Sequence, residues 1–253
     1  VHQTKTQQLQ AAKVDLIVWP EAAYPQILPA TLEEISPQKL GLAKSNASTP
    51  FVLLGALTAE KGGIHNSALL FDSLGWLEGI YHKVHLVPFG EYVPYKKLLF
   101  FAKKLVSQVG NIYPGKGFEP LFFDGVKLAP LLCYEDIFPE ISRAFANKGA
   151  HLLINLTNDA WYGNTSAAHQ HLALSVFRAV ENRRYLVRAT NTGVSAIVSP
   201  TGQLISQSPL FERLLQVGTV RLLEEKTIYT ELGDWFAKGC VLFVGLGFCV
   251  ILI

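Results

Sequence analysis

Methionine is absent from the 253 residues, cysteine occurs three times, and neither sign of charge dominates. Each shortage excludes something. With 22 Lys and Arg against 20 Asp and Glu, the formal net charge is only +2. No broad basic field exists to hold a polyanion, so nucleic acid is excluded as a partner. Two of the three cysteines, Cys240 and Cys249, fall in an apolar tail, which leaves the globular part without a disulfide framework and gives no reading of redox compartment. A chain that opens at Val1 and holds no methionine is expected to be a fragment or a processed product, and no secretory signal is visible in it. Internal repeats and low-complexity linkers are also lacking.

What the chain has is apolar character: 49% hydrophobic residues and a mean hydropathy of +0.25, high for a freely soluble enzyme. The C-terminal run from Gly239 to Ile253 carries no charge and follows Trp235 and Lys238, which suit a membrane interface. It is shorter than the roughly 20 residues that cross a bilayer. We read it as the start of a truncated transmembrane helix, a buried terminal helix or strand being the competing reading. The length suits one large core, giving an α/β domain over residues 1–236 and a partial transmembrane helix over 237–253.

Apolar, β-rich runs predict strands at Val14–Val18, Phe51–Leu57, Asn66–Phe71, Leu77–His82, Leu121–Phe123, Val126–Cys133, His151–Leu156, Tyr185–Ala189, Val194–Ser199 and Leu215–Arg221. Helices are expected at Thr4–Ala12, Leu32–Asn46, Pro139–Asn147 and Ser166–Arg184. The turn sequences Ser73-Leu74-Gly75, Asp124-Gly125 and Thr201-Gly202 favour hairpins among the later strands, so the sheets are expected to be mixed and covered by helices. One stretch fits a core poorly. Between Tyr92 and Tyr113, at about 100° per residue, Lys96, Lys97, Lys103 and Lys104 share one side of a helix, with Leu98, Phe101, Ala102 and Leu105 opposite. That pattern fits an ordinary surface helix or a membrane-surface arm.

Three strand ends carry reactive side chains. Cys133 closes Ala129-Pro130-Leu131-Leu132 and opens into Tyr134-Glu135-Asp136, Glu21 follows Leu16-Ile17-Val18-Trp19-Pro20, and Lys83 follows Gly79-Ile80-Tyr81-His82. In α/β sheets ligands gather at strand ends, which points to a Cys-Glu-Lys set. A thiol with an ordinary pKa of about 8.5 is mostly protonated at neutral pH, and Glu135 and Asp136 beside it oppose ionisation. A desolvated Glu21 supplies the base, and Lys83 supplies charge to the thiolate and to an oxyanion. A Cys-His enzyme competes on paper, since there are seven histidines. His82 and His85 flank Lys83, and His169 and His171 fall on different faces of a predicted helix. Neither pair has a metal-ligand spacing, so these histidines read as satisfying local hydrogen bonds.

The segments VDLIVWPEAAYP, YHKVHLVPFGEYVP, LLCYEDIFPE and NLTNDAWYGNTSAAHQHLALSVFRAVENRRYLVRATNTGVS together resemble the nitrilase (carbon-nitrogen hydrolase) superfamily, and more narrowly the nitrilase-like domain of the bacterial apolipoprotein N-acyltransferase family. The resemblance spans nearly the whole chain, and PFGEYVP and NDAWYG are its most specific parts. It implies an αββα sandwich with general base Glu21, essential lysine Lys83 and acylated Cys133. It also implies supporting roles for Glu91, Tyr134 and Glu135: Glu91 to orient Lys83 or an incoming amine, the other two to shape the elbow after the nucleophile or to cap the following helix. The implied reaction takes an acyl chain from a membrane phospholipid onto Cys133 as a thioester and passes it to the N-terminal amine of a diacylglyceryl-cysteine lipoprotein. It requires no metal or organic cofactor, and it implies a bacterial inner-membrane location with this domain facing the periplasm. Members of that family carry transmembrane helices before and after the domain, and a first strand ahead of the helix that begins this chain. Two other readings remain open: a soluble carbon-nitrogen hydrolase that uses water on a small amide, and a non-catalytic lipid-binding domain of the same fold.

Overall fold

The computed structural model describes residues 2–42, 50–92 and 112–251. Helix α1 (His2–Ala11) leads into strand β1 (Leu16–Val18), followed by β2 (Leu28–Pro29), the short α2 (Pro37–Leu40) and the long meander β3 (Phe51–Glu60), β4 (Gly63–Phe71) and β5 (Leu77–His82). The second half runs β6 (Leu121–Phe123), β7 (Val126–Leu132), α3 (Pro139–Asn147), β8 (Leu152–Thr157), α4 (Ala167–Asn182), β9 (Tyr185–Thr190), β10 (Ala196–Val198) and β11 (Leu204–Gln207), then α5 (Ile228–Leu232) and α6 (Trp235–Ile251).

These strands make two mixed sheets. The first has the order β1-β3-β4-β5, with β2 also on β3; the second runs β11-β10-β9-β8-β7-β6. In the second, β7, β8 and β9 are parallel neighbours, and helices α3 and α4 make the crossovers that parallel pairing requires. Alternation along β3 divides the burial: Leu53 faces the core shared by both sheets, whereas Val52, Leu54 and Ala56 face a second cluster with Ile17, Trp19, Leu40 and Leu42. The shared core includes Ala68, Leu70 and Tyr81 from the first sheet and Leu131, Leu153 and Leu186 from the second, closed by Ile141 and Phe145 of α3 and Leu172 and Ala179 of α4. Each such leucine stabilises the fold by about 1.5–3 kcal/mol. Pro130 is accommodated in β7 because β6 pairs only with Val126–Leu128 and ends before it.

The predicted hairpins form between β4 and β5, β6 and β7, and β10 and β11. Two expectations are corrected. The helix expected over Leu32–Asn46 is reduced to Pro37–Leu40 within the described residues. Upstream, Ile35 N donates to Gly75 O and Leu77 N to Glu33 O, so this backbone bonds the β4–β5 turn instead of itself. Downstream, Gly41 ends α2 in a left-handed conformation, with φ +80° and its α-carbon face against Gln3, where a Cβ would lie 2.3 Å from the Gln3 carbonyl oxygen. The strand expected over Leu215–Arg221 is not one. This segment lies along an open groove of about 1060 Å³ lined also by Lys5, Leu9, Leu16, Val18 and Val187. Two short strands, β2 and β11, escaped the sequence reading because one is two residues long and the other is mostly exposed.

Among the described residues, no helix is long and apolar enough to cross a membrane. Helix α6 runs 17 residues, and its Val241, Leu242, Phe243 and Val244 are exposed. The lysine- and phenylalanine-bearing stretch 96–106 lies outside the described residues.

Candidate active site

Glu21, Lys83 and Cys133 leave three separate strands and converge. Glu21 follows β1 by way of Trp19 and Pro20 and is only 6% exposed. Its place depends on Gly55 of β3: Gly55 N donates to Pro20 O at 3.2 Å, and a Cβ there would sit 2.5 Å from that oxygen and 2.6 Å from Glu21 Cα. Only glycine lets the two backbones approach so closely. Asn66 Nδ2 donates to Glu21 Oε1 at 2.6 Å and Asn158 N donates to Oε2 at 2.9 Å. Burial raises the Glu21 pKa above the usual carboxylate value, opposed first by the charge of Lys83 and then by the Asn66 hydrogen bond.

Lys83, the residue after β5, is 1% exposed. Its ammonium lies 2.9 Å from both oxygens of Glu91 and 3.7 Å from Glu21 Oε1. Burial alone would lower its pKa, yet Glu21, Cys133 and Glu91 together hold it above the ordinary lysine value, so Lys83 is a fixed cation. Glu91 is held in turn by Asn66 Nδ2 at 3.1 Å and Val87 N at 2.8 Å. Asn66 therefore donates to both carboxylates that face Lys83, and nothing in the strand sequence distinguishes it from its polar neighbours His65 and Ser67.

Cys133 opens a 3-10 turn, Cys133–Ile137, at the end of β7. Its φ is +51°, and Ala22 and Phe89, beside Glu21 and Glu91, also have positive φ, 49° and 62°. Non-glycine residues in this region store roughly 1–3 kcal/mol each and cluster where geometry serves function. Glu21 and Thr157 both act on the ionisation of the thiol, Glu21 through its charge and Thr157 by favouring the thiolate. Burial and then the Glu21 charge push its pKa up to about 12, with Lys83 pulling the other way. A preformed thiolate is thus a minor species at neutral pH, and attack requires the proton to leave for a base as the bond forms. Glu21 is a carboxylate placed where it can take that proton.

Glu135 is fully buried and joins the two halves of the site. Its Oε1 accepts from Tyr81 Oη at 2.9 Å, Val84 N at 2.7 Å and His85 N at 3.1 Å, and its Oε2 accepts from Leu132 N at 2.8 Å. Through Leu132 N it caps the 3-10 turn Cys133–Ile137 and not α3, which begins at Pro139 after Phe138 with no side-chain cap. Burial raises its pKa to about 7 despite the backbone donors. Tyr134 sets its ring edge-on to Phe138 at 5.3 Å and makes no hydrogen bond to the other site residues among those described. Asp136 opposes ionisation of the thiol, as expected from its position, but it is paired with His171 at 2.8 Å and Arg188 at 2.5 Å. His82 bonds Ser67 at 2.7 Å, and the exposed His169 and buried His171 fall on different faces of α4.

The carbon-nitrogen hydrolase family profile matches residues 2–226. An apolipoprotein N-acyltransferase of Geobacter metallireducens is 44% identical over 235 residues, covering 91% of this chain and 44% of that protein. One from Bdellovibrio bacteriovorus is 33% identical over 237 residues, covering 88% and 43%. The chain spans less than half the length of these curated relatives. Among solved structures, an amidase from Nesterenkonia sp. of the nitrilase superfamily superposes with a TM-score of 0.58 at 24% identity, covering 83% of this chain and 79% of that one. A carbon-nitrogen hydrolase from Helicobacter pylori does so with a TM-score of 0.57 at 20% identity, covering 82% and 79%.

Proposed function

The chain belongs to the carbon-nitrogen hydrolase family, and on that footing we propose that it is the catalytic domain of an apolipoprotein N-acyltransferase, with Cys133 as nucleophile, Glu21 as general base and Lys83 as electrostatic stabiliser. The observation that carries the reading is the convergence of a raised-pKa Glu21, a fixed Lys83 cation and the Cys133 thiol from three strand ends. The similarity of nine-tenths of the chain to the Geobacter acyltransferase supports the choice of substrate.

In the first half-reaction the thiol of Cys133 attacks the ester carbonyl of a phospholipid acyl chain while Glu21 takes the thiol proton. Lys83 stabilises the oxyanion of the tetrahedral intermediate. Collapse breaks the carbon–oxygen bond, the lysophospholipid alkoxide takes the proton from Glu21, and a thioester remains. In the second, the N-terminal amine of a diacylglyceryl-cysteine lipoprotein attacks the thioester, Glu21 accepts the amine proton, and the thiol is restored as the amide forms. Glu91 keeps Lys83 in register. Residues 1–236 form the catalytic unit in this reading. The apolar 237–253 segment and the lysine- and phenylalanine-bearing arm hold the site at the periplasmic face of a bacterial inner membrane.

The test supplies a synthetic diacylglyceryl-cysteine peptide with phosphatidylethanolamine vesicles and follows the peptide by mass spectrometry. A peptide heavier by one acyl chain at its N-terminus supports the proposal. An unmodified peptide together with turnover of a small amide would assign the chain instead to a water-using hydrolase.

A further inference from the structure

Behind the Cys133 turn lies a second set of charged groups that takes no part in the acyl transfer just described. His171, on the inner face of α4, is 4% exposed. Its Nε2 lies 2.8 Å from Asp136 Oδ1, and its Nδ1 lies 2.9 Å from Asp159 Oδ1. Arg188 of β9 reaches the other oxygen of each carboxylate, Asp136 Oδ2 at 2.5 Å and Asp159 Oδ2 at 3.1 Å. Four charged side chains from four elements are thus closed on one another with almost no access to water.

An imidazole hydrogen-bonded to a carboxylate at each nitrogen donates at both, which only the protonated ring does. Arg188 Nη2 also approaches His171 Nδ1 to 2.9 Å, the one contact that opposes a charge on the ring, and the Asp159 carboxylate shared by the two offsets it. With His171 charged, two anions and two cations cancel. With His171 neutral, the same dry cluster carries one net negative charge.

Three links run from the cluster to the nucleophile. Asp136 is part of the Cys133 turn and pushes the thiol toward its protonated form. Arg188 Nη1 donates to Asn155 Oδ1 at 2.8 Å, and Asn155 Nδ2 donates to the Cys133 carbonyl at 3.0 Å, fixing the backbone of the residue with positive φ. Thr157, which favours ionisation of the thiol, has its hydroxyl 3.4 Å from Asp159 Oδ1.

We propose that His171, clamped between Asp136 and Asp159 and tied through Arg188 and Asn155 to Cys133, is a positioning residue for the acylation of Cys133. Its positive charge cancels the negative charge that Asp136 would otherwise place beside the forming thiolate. The groups that face it are Asp136 from the Cys133 turn, Asp159 and the edge of the Tyr162 ring from the turn after β8, and Arg188 from β9. Burial would lower the His171 pKa, but the two aspartates, Asp136 foremost, raise it to about 9. The imidazolium therefore persists through neutral pH.

The inference rests on reading Cys133 as the acylated nucleophile, and its test is independent of lipid. Iodoacetamide alkylation of Cys133, read by peptide mass mapping so that Cys240 and Cys249 do not interfere, reports the ease of thiolate formation as a function of pH. Expected is a rate about tenfold lower in His171→Gln than in wild type near neutral pH, the equivalent of about one pKa unit. The ratio should shrink toward one as pH passes about 9 and the wild-type imidazolium loses its proton. Asp159→Asn, which removes a negative charge, should not be slower than wild type, and it carries the test if His171→Gln does not fold. A constant ratio at every pH, or equal slowing in both variants, would mean His171 is only a structural filler. Parallel incubation with phospholipid separates the two claims. If wild type takes no acyl chain yet shows the pH-dependent ratio, the acyltransferase reading falls and the role of His171 stands; acylation with a flat ratio gives the reverse.

Discussion

The Glu135 carboxylate accepts the Val84 N–H at 2.7 Å, and through that bond the strand end that carries Lys83 is fastened to the turn that carries Cys133. The same side chain receives Leu132 N, from the residue before Cys133, so one buried carboxylate spans both sheets at the site. Replacing it by Ala leaves Leu132, Val84 and His85 N–H groups and the Tyr81 hydroxyl without their acceptor. An unmet buried donor costs about 1–3 kcal/mol, so Glu135→Ala should lose on the order of 3 kcal/mol or more of stability and most acylation activity. Denaturant unfolding checks the first, and unchanged unfolding would refute the bridging role.

Asn66 is the second joint. Because its amide donates to both Glu21 and Glu91, Asn66→Asp sets a third carboxylate between two others, whereas Asn66→Ala only removes a donor. The aspartate variant should therefore be the worse of the two in acylation rate, by about tenfold or more. Equal rates in the two variants would show that the amide does not organise the carboxylates.

Gly55→Ala should displace Glu21 without touching its carboxylate. The added methyl would meet Pro20 O at 2.5 Å and Glu21 Cα at 2.6 Å, both backbone atoms. Relief requires moving the Glu21 segment, at a cost of about 1–3 kcal/mol in stability. The acylation rate should fall by more than the stability loss explains when it is measured well below the melting temperature.

His171 also leaves a mark on stability. Its folded pKa, about 9, lies above the 6.5 of an ordinary imidazole. A group raised in this way stabilises the fold fully below pH 6.5 and loses that contribution as pH climbs through about 9. For a buried ring the loss is on the order of 3 kcal/mol. Urea unfolding of wild type at about pH 7 and pH 10 should show this loss, and His171→Gln should lack it.

Much of this was legible in the sequence for physical reasons. Cys133, Glu21 and Lys83 each follow an apolar run, and strand ends in such sheets converge. The hairpins were legible where a turn dipeptide demanded positive φ, as at Asp124 and Gly125. Illegible were the residues whose work depends on tertiary contact. Asn66, Asn155 and Arg188 are polar residues within strands, and only the tertiary contacts show that one bridges two carboxylates and the others brace the Cys133 carbonyl. The helix expected over Leu32–Asn46 failed because its backbone found partners in the β4–β5 turn, a choice periodicity does not reveal.

The most direct test of the central claim is the intact mass of the protein after incubation with phospholipid vesicles, compared with Cys133→Ala and Glu21→Gln. Expected is a gain of one acyl chain in wild type that hydroxylamine removes, absent from Cys133→Ala and much slower to appear in Glu21→Gln. An unmodified wild-type protein, or an adduct that persists in Cys133→Ala, would contradict a Cys133 thioester and with it the proposed function.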